Sequence, residues 1–247
     1  MSTTLTIAGT EARRIFVSPL AWAVLAVLQA ILGFIFLNVL LEYARNPGGA
    51  DQYTGMSDYI GSGLYGFATI LLLLIMPLLT MRLFAEERKN GSLTLLLSSP
   101  ASLIEIVLGK FLGLGSFVLA ALALLAVMPL TLLVGTPLDL GRIGAGLLGL
   151  GLLMASFGAA GLFVSTLTKE PTIAAVVTFG LLLLIWLFGI LGHRPGLVGE
   201  VFTYLALVDH FENLRRGIFN SADIAYYLLF IVLFLWLAVL RLDIERS

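Results

Sequence analysis

This chain contains six long stretches without a charged residue, and each stretch is rich in Leu, Ile, Val, Ala and Phe. A helix needs about 20 mostly apolar residues to cross the hydrocarbon core of a bilayer, whereas a barrel strand needs about ten and alternates in polarity. None of the stretches alternates strictly, so the pattern predicts an all-α membrane protein with six transmembrane helices. We expect the spans at about residues 19–41, 61–81, 111–134, 143–166, 171–192 and 223–240.

The composition agrees with a membrane protein. Hydrophobic residues make up 60% and charged residues 12% of the 247 residues, whereas soluble domains average about 45–50% and 25%. These values exclude a soluble enzyme and a disordered chain. The net charge of −1 leaves no basic surface for nucleic acid. The absence of cysteine excludes disulfides, thiolate metal sites and a cysteine nucleophile.

The basic residues between the spans predict the orientation of the chain. Six spans place both termini on one side of the membrane, and nine of the 14 basic residues then lie on that side. The positive-inside rule therefore favours cytoplasmic termini. The inner basic residues are Arg13, Arg14, Arg82, Arg88, Lys89, Lys110, Lys169, Arg241 and Arg246, and the outer ones are Arg45, Arg142, Arg194, Arg215 and Arg216.

Residues 1–18 form a short arm before the first span. Ile7, Ile15 and Phe16 can share one side of a helix, with Glu11 and Arg14 on another side. This pattern predicts an interfacial helix that lies under the membrane. A frayed N-terminus is the alternative.

The outer segment 193–222 also has a helical pattern, because Val198, Val201, Phe202, Leu205 and Val208 recur at three and four residues. The charged residues that follow exclude a full span. We therefore predict a pair of half-inserted helices before the last span. His193, Asp209, His210 and Glu212 could bind a metal in principle, but their spacing favours surface or capping roles.

The inner loop, residues 82–110, carries more structural signals than a simple connection needs. Asn90 and Gly91 predict the end of a first short helix, and a second helix follows over Ser92–Leu97. Ser102 and Glu105 fit a capping box, so a third helical turn leads into the third span. Carboxylates and bases lie at one edge of this loop and leucines at the other, as a docking surface requires.

The glycine motifs indicate packing and no nucleotide chemistry. Gly61, Gly63 and Gly66 match the pattern G-x-G-x-x-G, as does a second run at 144–149, but a phosphate-binding loop needs a preceding strand. The fourth span has small residues four apart, at Gly151, Ala155 and Ala159. They predict close helix packing.

The six charge-free stretches place no Asp, Glu, Lys, Arg or His inside the membrane, which argues against a proton-coupled carrier. Gln29 and Asn38 in the first span are candidates to line a transport path, or they make hydrogen bonds between helices. A serine protease is disfavoured because both histidines lie outside the spans. Missing charge rings disfavour an ion channel.

The run from Met81 to Pro100, followed by Glu105 to Lys110, resembles the ABC-2 class of transporter permeases. In particular, it resembles the branch named for gliding-motility-associated permeases, with the nitrous-oxide-reductase maturation permease as a cousin. The segment 210–218 before the last span extends the resemblance. Two positions depart from the usual pattern, since Ser92 replaces Thr and Thr94 replaces Glu.

The resemblance implies a permease of the bacterial cytoplasmic membrane that pairs with a second permease copy and two ABC ATPase subunits. The inner loop would carry the coupling helix, the outer segment would be a re-entrant hairpin, and ATP and Mg would bind only to the ATPases. No cofactor or catalytic residue is expected in this chain. The coupling residues would be Arg82, Glu86, Glu87, Arg88, Gly91, Pro100, Glu105 and Lys110.

Two functions follow from this arrangement. The first is an ATP-driven permease, with export as the expected direction. The second is a membrane scaffold that does not transport and that transmits force from the ATPase to envelope or motility partners. A periplasmic or auxiliary membrane partner fits either function, because the outer loops of this chain are small.

Overall fold

A computed structural model describes residues 3–45, 55–135, 137–192 and 197–246, and these residues form helices with no strand among them. Of the residues named above, His193 and Arg194 lie outside the described residues. The helices are α1 (Thr3–Val17), α2 (Pro19–Arg45), α3 (Met56–Tyr59), α4 (Gly66–Thr80), α5 (Ala85–Lys89), α6 (Ser92–Leu97), α7 (Leu103–Leu130), α8 (Leu140–Ser165), α9 (Pro171–Gly192), α10 (Leu197–Leu205), α11 (Leu207–Arg215) and α12 (Ser221–Arg246).

Six helical stretches in the described chain are long and apolar enough to cross a membrane, which confirms the predicted number of spans. They comprise α2, α3 with α4, α7, α8, α9 and α12. A π-helical segment, Ile60–Tyr65, joins α3 to α4, so the glycines of the first G-x-G-x-x-G run lie in or beside helix and follow no strand. A 3₁₀ turn, Thr131–Val134, follows α7.

Most of the spanning helices extend beyond the stretches that the charges delimit, as α7 and α12 illustrate. Helix α7 begins at Leu103 and continues through Lys110, although the predicted span begins at residue 111. Helix α12 begins at Ser221 and ends at Arg246, beyond the predicted 223–240. A charged side chain limits the part of a helix that lies in hydrocarbon, but it does not end the helix, since the backbone hydrogen bonds continue.

Helix α8 lies at the centre of the bundle and contacts α4, α7, α9, α11 and α12. Its glycines allow the close approach that the sequence predicts. A Cβ atom at Gly146 would lie 2.5 Å from the ring of Tyr65, and one at Gly158 would lie 2.8 Å from Leu114. A Cβ atom at Gly161 would lie 2.7 Å from the Cβ of Thr80.

The bundle has two ends that differ in their chain segments. We call one the terminal end, because α1, the α5–α6 hairpin and the C-terminal turn of α12 meet there: Arg14 pairs with Glu86, and Arg88 pairs with Glu245. We call the other the far end, where the Asp58 carboxylate at the start of the second span pairs with Arg142 at the start of α8.

The arm is helical, as the sequence predicts, but the face of α1 that packs on α7 includes Glu11 as well as Ile7. Gly109 and Gly113 of α7 let α1 approach closely, because Cβ atoms there would lie 2.7 Å from Ile7 and 2.6 Å from Glu11. The prediction that Glu11 lies on a separate polar side is therefore wrong. Glu11 is only 7% exposed, since it faces Lys110 from the same side of α1 as Ile7.

We expect Gly161→Ala to lower the stability of the detergent-purified protein by about 1–3 kcal/mol, because the added methyl group overlaps Thr80. Gly180→Ala on α9 is the matched control, since its Cβ would meet no atom within 4 Å. The apparent thermal unfolding midpoint measures both variants. Equal midpoints would contradict the close contact between α4 and α8.

Candidate functional site

The α5–α6 hairpin has the local structure that the sequence predicts. Helix α5 ends at Lys89, Asn90 caps it, and Gly91 adopts a φ of +73°, the left-handed region that favours glycine. Before α7, the backbone nitrogen of Glu105 donates to the Ser102 hydroxyl at 3.2 Å, and the nitrogen of Ser102 donates to the Glu105 carboxylate at 2.9 Å. This capping box fixes the start of α7.

Helix α6 has one buried face and one exposed face. Leu93 and Leu97 are buried in the core, whereas Leu95 is 74% exposed. We define the outer face of α6 as Thr94, Leu95 and Ser98, which are all exposed. An exposed leucine on a short helix beside charged residues is the kind of residue that a partner protein covers.

A cluster of five charged residues joins α5 to α1 and α7. We call this the arm charge cluster, and it comprises Glu11, Arg14, Glu86, Glu87 and Lys110. Lys110 Nζ lies 2.6 Å from Glu87 Oε1 and 3.3 Å from Glu11 Oε2. Arg14 lies 2.7 Å from Glu86 and 3.6 Å from both Glu11 and Glu87.

Lys110 is the most deeply buried member of this cluster. Its side chain is 2% exposed, and its ammonium group lies 5.1 Å from the centre of the Phe84 ring. A buried ammonium group is tolerated only when carboxylates and an aromatic face replace its lost hydration. The positions of Glu11 and Glu87 therefore depend on Lys110, and that dependence links α1, α5 and α7.

Two further ion pairs connect α5 to other spans. Arg88 contacts both carboxylate oxygens of Glu245 at 2.6 and 2.7 Å, and Arg241 lies 3.1 Å from the same carboxylate. Lys89 lies 2.8 Å from Glu170, directly before α9. Helix α5 thus contacts four elements through charged side chains: α1, α7, α12 and the turn before α9.

The structure brings together some of the predicted coupling residues and separates others. Glu86, Glu87, Arg88 and Lys110 meet at α5, and their charges face other helices of this chain. The Glu105 carboxylate accepts the hydrogen bond of the capping box from the backbone nitrogen of Ser102. Gly91 and Pro100 are exposed at the two turns of the hairpin. Arg82 is exposed in the turn after α4 and forms no ion pair with a residue that the structure describes.

Sequence reasoning missed four residues of this site. Glu11, Arg14, Glu170 and Glu245 complete the ion pairs of α5. Each of them lies far along the chain from its partner, and no local pattern connects distant charges. The sequence marks Glu11 and Arg14 as charged residues of the arm, but it does not indicate which residues they pair with.

The two candidate path residues make hydrogen bonds within the protein. Gln29 donates to the backbone oxygen of Leu124 on α7 at 3.4 Å. Asn38 is exposed and donates to Phe34, one turn earlier in its own helix, at 2.8 Å. For Gln29, this contact is the helix-to-helix hydrogen bond that the sequence left as the alternative.

The far end contains no cluster of three or more metal-ligating side chains within the described residues. His210 Nδ1 lies 2.7 Å from Asp223, and its Nε2 lies 3.0 Å from the backbone oxygen of Tyr204, so this histidine joins α10, α11 and α12. Burial opposes ionisation of Glu212, but hydrogen bonds and charge from Arg215 and Arg216 outweigh it and hold its pKa below the ordinary value.

We expect Lys110→Met to destabilise the protein by about 3–5 kcal/mol, because Glu11 and Glu87 lose their buried base. Lys89→Met is the control, since its ion pair is about half exposed and contributes roughly 0–1 kcal/mol. Combining Lys110→Met with Glu87→Gln should cost less than the sum of the single changes. Thermal unfolding in detergent measures these effects, and similar losses for the two lysine variants would contradict the role of Lys110.

The comparisons with known proteins agree with this architecture. A family model described as ABC-2 family transporter protein matches residues 5–243. No curated protein matches the chain. The matched region includes the arm from Leu5, the α5–α6 hairpin and all six spans. Because this match extends over nearly the whole of a six-span chain, the protein belongs to the ABC-2 family of transporter proteins and is a multi-pass membrane permease.

Proposed function

We propose that this chain is the membrane subunit of an ATP-driven exporter of the bacterial cytoplasmic membrane, within the gliding-motility-associated branch of its family. Two ATPase subunits bind ATP and Mg and supply the energy, and a second permease copy completes the membrane part. The termini and the α5–α6 hairpin face the cytoplasm. The outer segment with α10 and α11 is re-entrant.

One observation carries this proposal: in the hairpin, α6 has an exposed outer face, and α5 is held to the rest of the bundle by ion pairs. Leu95 is exposed on α6, while Glu87, Arg88 and Lys89 of α5 pair with residues of other elements. A loop that only connected two spans would need neither feature. A coupling element needs both, because it must bind a partner and transmit movement.

The contacts of α5 define how movement would spread through the permease. Closure of the ATPases would displace α6. Helix α5 would follow, because only Asn90 and Gly91 separate the two short helices. The pair of Glu87 with Lys110 would then move α7 and the arm. The pair of Arg88 with Glu245 would move α12. Several spans thereby respond to one displacement.

This proposal divides the coupling role between transmission within the chain and contact with the ATPase. Glu86, Glu87, Arg88 and Lys110 transmit movement inside the chain, since their charges already pair with other helices. The outer face of α6 contacts the ATPase. The absence of Glu at position 94 fits this division, because an apolar contact at Leu95 remains available next to Thr94.

We expect Leu95→Asp to abolish co-purification of the ATPase subunit, because a carboxylate replaces the exposed apolar side chain of α6. Ile244→Asp is the matched control: Ile244 is 69% exposed, and it lies at the same end of the bundle, on α12. Co-purified ATPase and its stimulated hydrolysis rate are the measurements. If Leu95→Asp retains both, α6 is not the coupling helix.

The orientation can be tested with single cysteines, because the chain has none of its own. We expect a membrane-impermeant maleimide to label Arg216→Cys in intact cells and to label Thr94→Cys only after the membrane is permeabilised. Both positions are exposed. Labelling of Thr94→Cys from outside would place the hairpin on the wrong side for a cytoplasmic ATPase.

A further inference from the structure

A half-open pocket of about 240 Å³ lies at the terminal end, between α1, the start of α2, the end of α4 and α5. We call it the arm pocket, and its lining includes Arg14, Ile15, Ala21, Leu79, Arg82 and Glu86. This pocket does not include the outer face of α6, but it shares Glu11, Arg14 and Glu86 with the arm charge cluster.

The pocket has an apolar wall and a polar rim. Ile15, Leu20, Leu78 and Leu79 contribute hydrocarbon, whereas the rim carries two arginines and two glutamates. The volume is below the roughly 300–1,000 Å³ of a site that encloses a drug-sized molecule. Such a pocket can hold the polar part of an amphiphile, with its chains outside along the bundle.

The wall on the α1–α2 side is held in place by hydrogen bonds. The backbone nitrogen of Ala21 donates to Ser18 at 3.2 Å. The Trp22 indole nitrogen donates to the Phe16 oxygen at 2.8 Å, and the two rings pack edge to face at 5.9 Å. Trp22 is nevertheless 60% exposed. Tryptophan with this combination of an anchored nitrogen and an open ring is typical of the boundary between lipid headgroups and hydrocarbon.

The charges on the rim distinguish the type of headgroup. Glu11 pairs with Lys110, and Arg14 pairs with Glu86 at 2.7 Å. Arg82 is therefore the basic residue of the rim that forms no ion pair with a described residue. Glu86 keeps a side chain that is 36% exposed. The charges of the four ionisable groups on the rim cancel, so the rim carries no net positive charge. The pocket offers the guanidinium group of Arg82 beside the partly exposed carboxylate of Glu86.

We propose that the arm pocket binds the headgroup of a phospholipid that carries both a phosphate and a primary ammonium group. Arg82 binds the phosphodiester, since a guanidinium group matches phosphate oxygens with two parallel hydrogen bonds. Glu86 accepts a hydrogen bond from the ammonium group. The acyl chains leave along Leu78, which is 43% exposed. This inference needs only the spanning architecture, and it holds whether or not an ATPase binds.

The experiment measures lipid binding to the purified full-length permease alone, by native mass spectrometry, with phosphatidylethanolamine, phosphatidylcholine and phosphatidylglycerol in separate titrations. Phosphatidylcholine keeps the positive charge but has no N–H donor, and phosphatidylglycerol has no cation. We expect phosphatidylethanolamine to bind about tenfold more tightly than either, from one additional hydrogen bond between charged groups.

Two substitutions separate the two halves of the headgroup site. Arg82→Gln should weaken binding of all three lipids, and Arg82→Lys should restore part of it. Glu86→Gln should reduce phosphatidylethanolamine binding to the level of phosphatidylcholine and, because it releases Arg14 from its ion pair, should not weaken binding of phosphatidylglycerol. Arg13→Gln is the matched control, because Arg13 is exposed on α1 and does not line the pocket.

Three results would overturn the proposal. Unchanged binding of all three lipids by Arg82→Gln would show that the pocket does not bind phosphate. Tighter binding of phosphatidylglycerol than of phosphatidylethanolamine by the wild type would show that the rim selects negative charge. An equal loss in Arg13→Gln and Arg82→Gln would show a general effect of charge. None of these results bears on the coupling role of α6, which is measured with the ATPase.

Discussion

Lys110 lies well inside α7 with its ammonium group almost fully removed from solvent, and the terminal end of the bundle is built around it. A buried cation must be compensated by carboxylates, since the cost of removing it from water is several kcal/mol. Glu87 comes from α5 and Glu11 from α1, so one charge holds two separate segments against one span. The position of the hairpin relative to the membrane helices follows from this constraint.

The contact between Glu11 and Lys110 is possible because the backbones of α1 and α7 approach each other closely. Gly109 and Gly113 lie on either side of Lys110 in α7, and they allow α1 to lie against the helix without an intervening side chain. Glu11 then reaches the ammonium group at 3.3 Å. The glycines of α8 have the same effect at the centre of the bundle, where Gly158 accommodates Leu114 of α7. Small residues thus set the distances at which the polar contacts form.

In the proposed function, the arrangement at α5 is the means by which a chain with few charges would be coupled to a separate ATPase. The ionisable groups of this bundle gather near the helix ends, and those of α5 are already paired within the chain. A partner at the proposed coupling surface would therefore meet an apolar contact on α6, next to the ion-paired helix α5. In that proposal, binding and transmission are assigned to adjacent short helices, so that each could be altered without the other.

The sequence by itself determined the number of spans, the two short helices of the hairpin and the capping box of Ser102 with Glu105. Each of these depends on hydrophobic length or on residues a few positions apart, and such interactions are local. Gly91 likewise marks its own turn, because few other residues adopt a positive φ.

Only the tertiary structure decided which way the arm faces, where the charges of α5 find their partners and that a pocket forms beside Arg82. Glu11 was expected on a polar side of α1, yet it turns inward because a buried lysine, 99 residues further along, requires it. Glu245 is 157 residues from Arg88. Pairing between such distant residues depends on how the helices pack, and helix packing is fixed by the shapes of whole surfaces, which no local pattern of residues records.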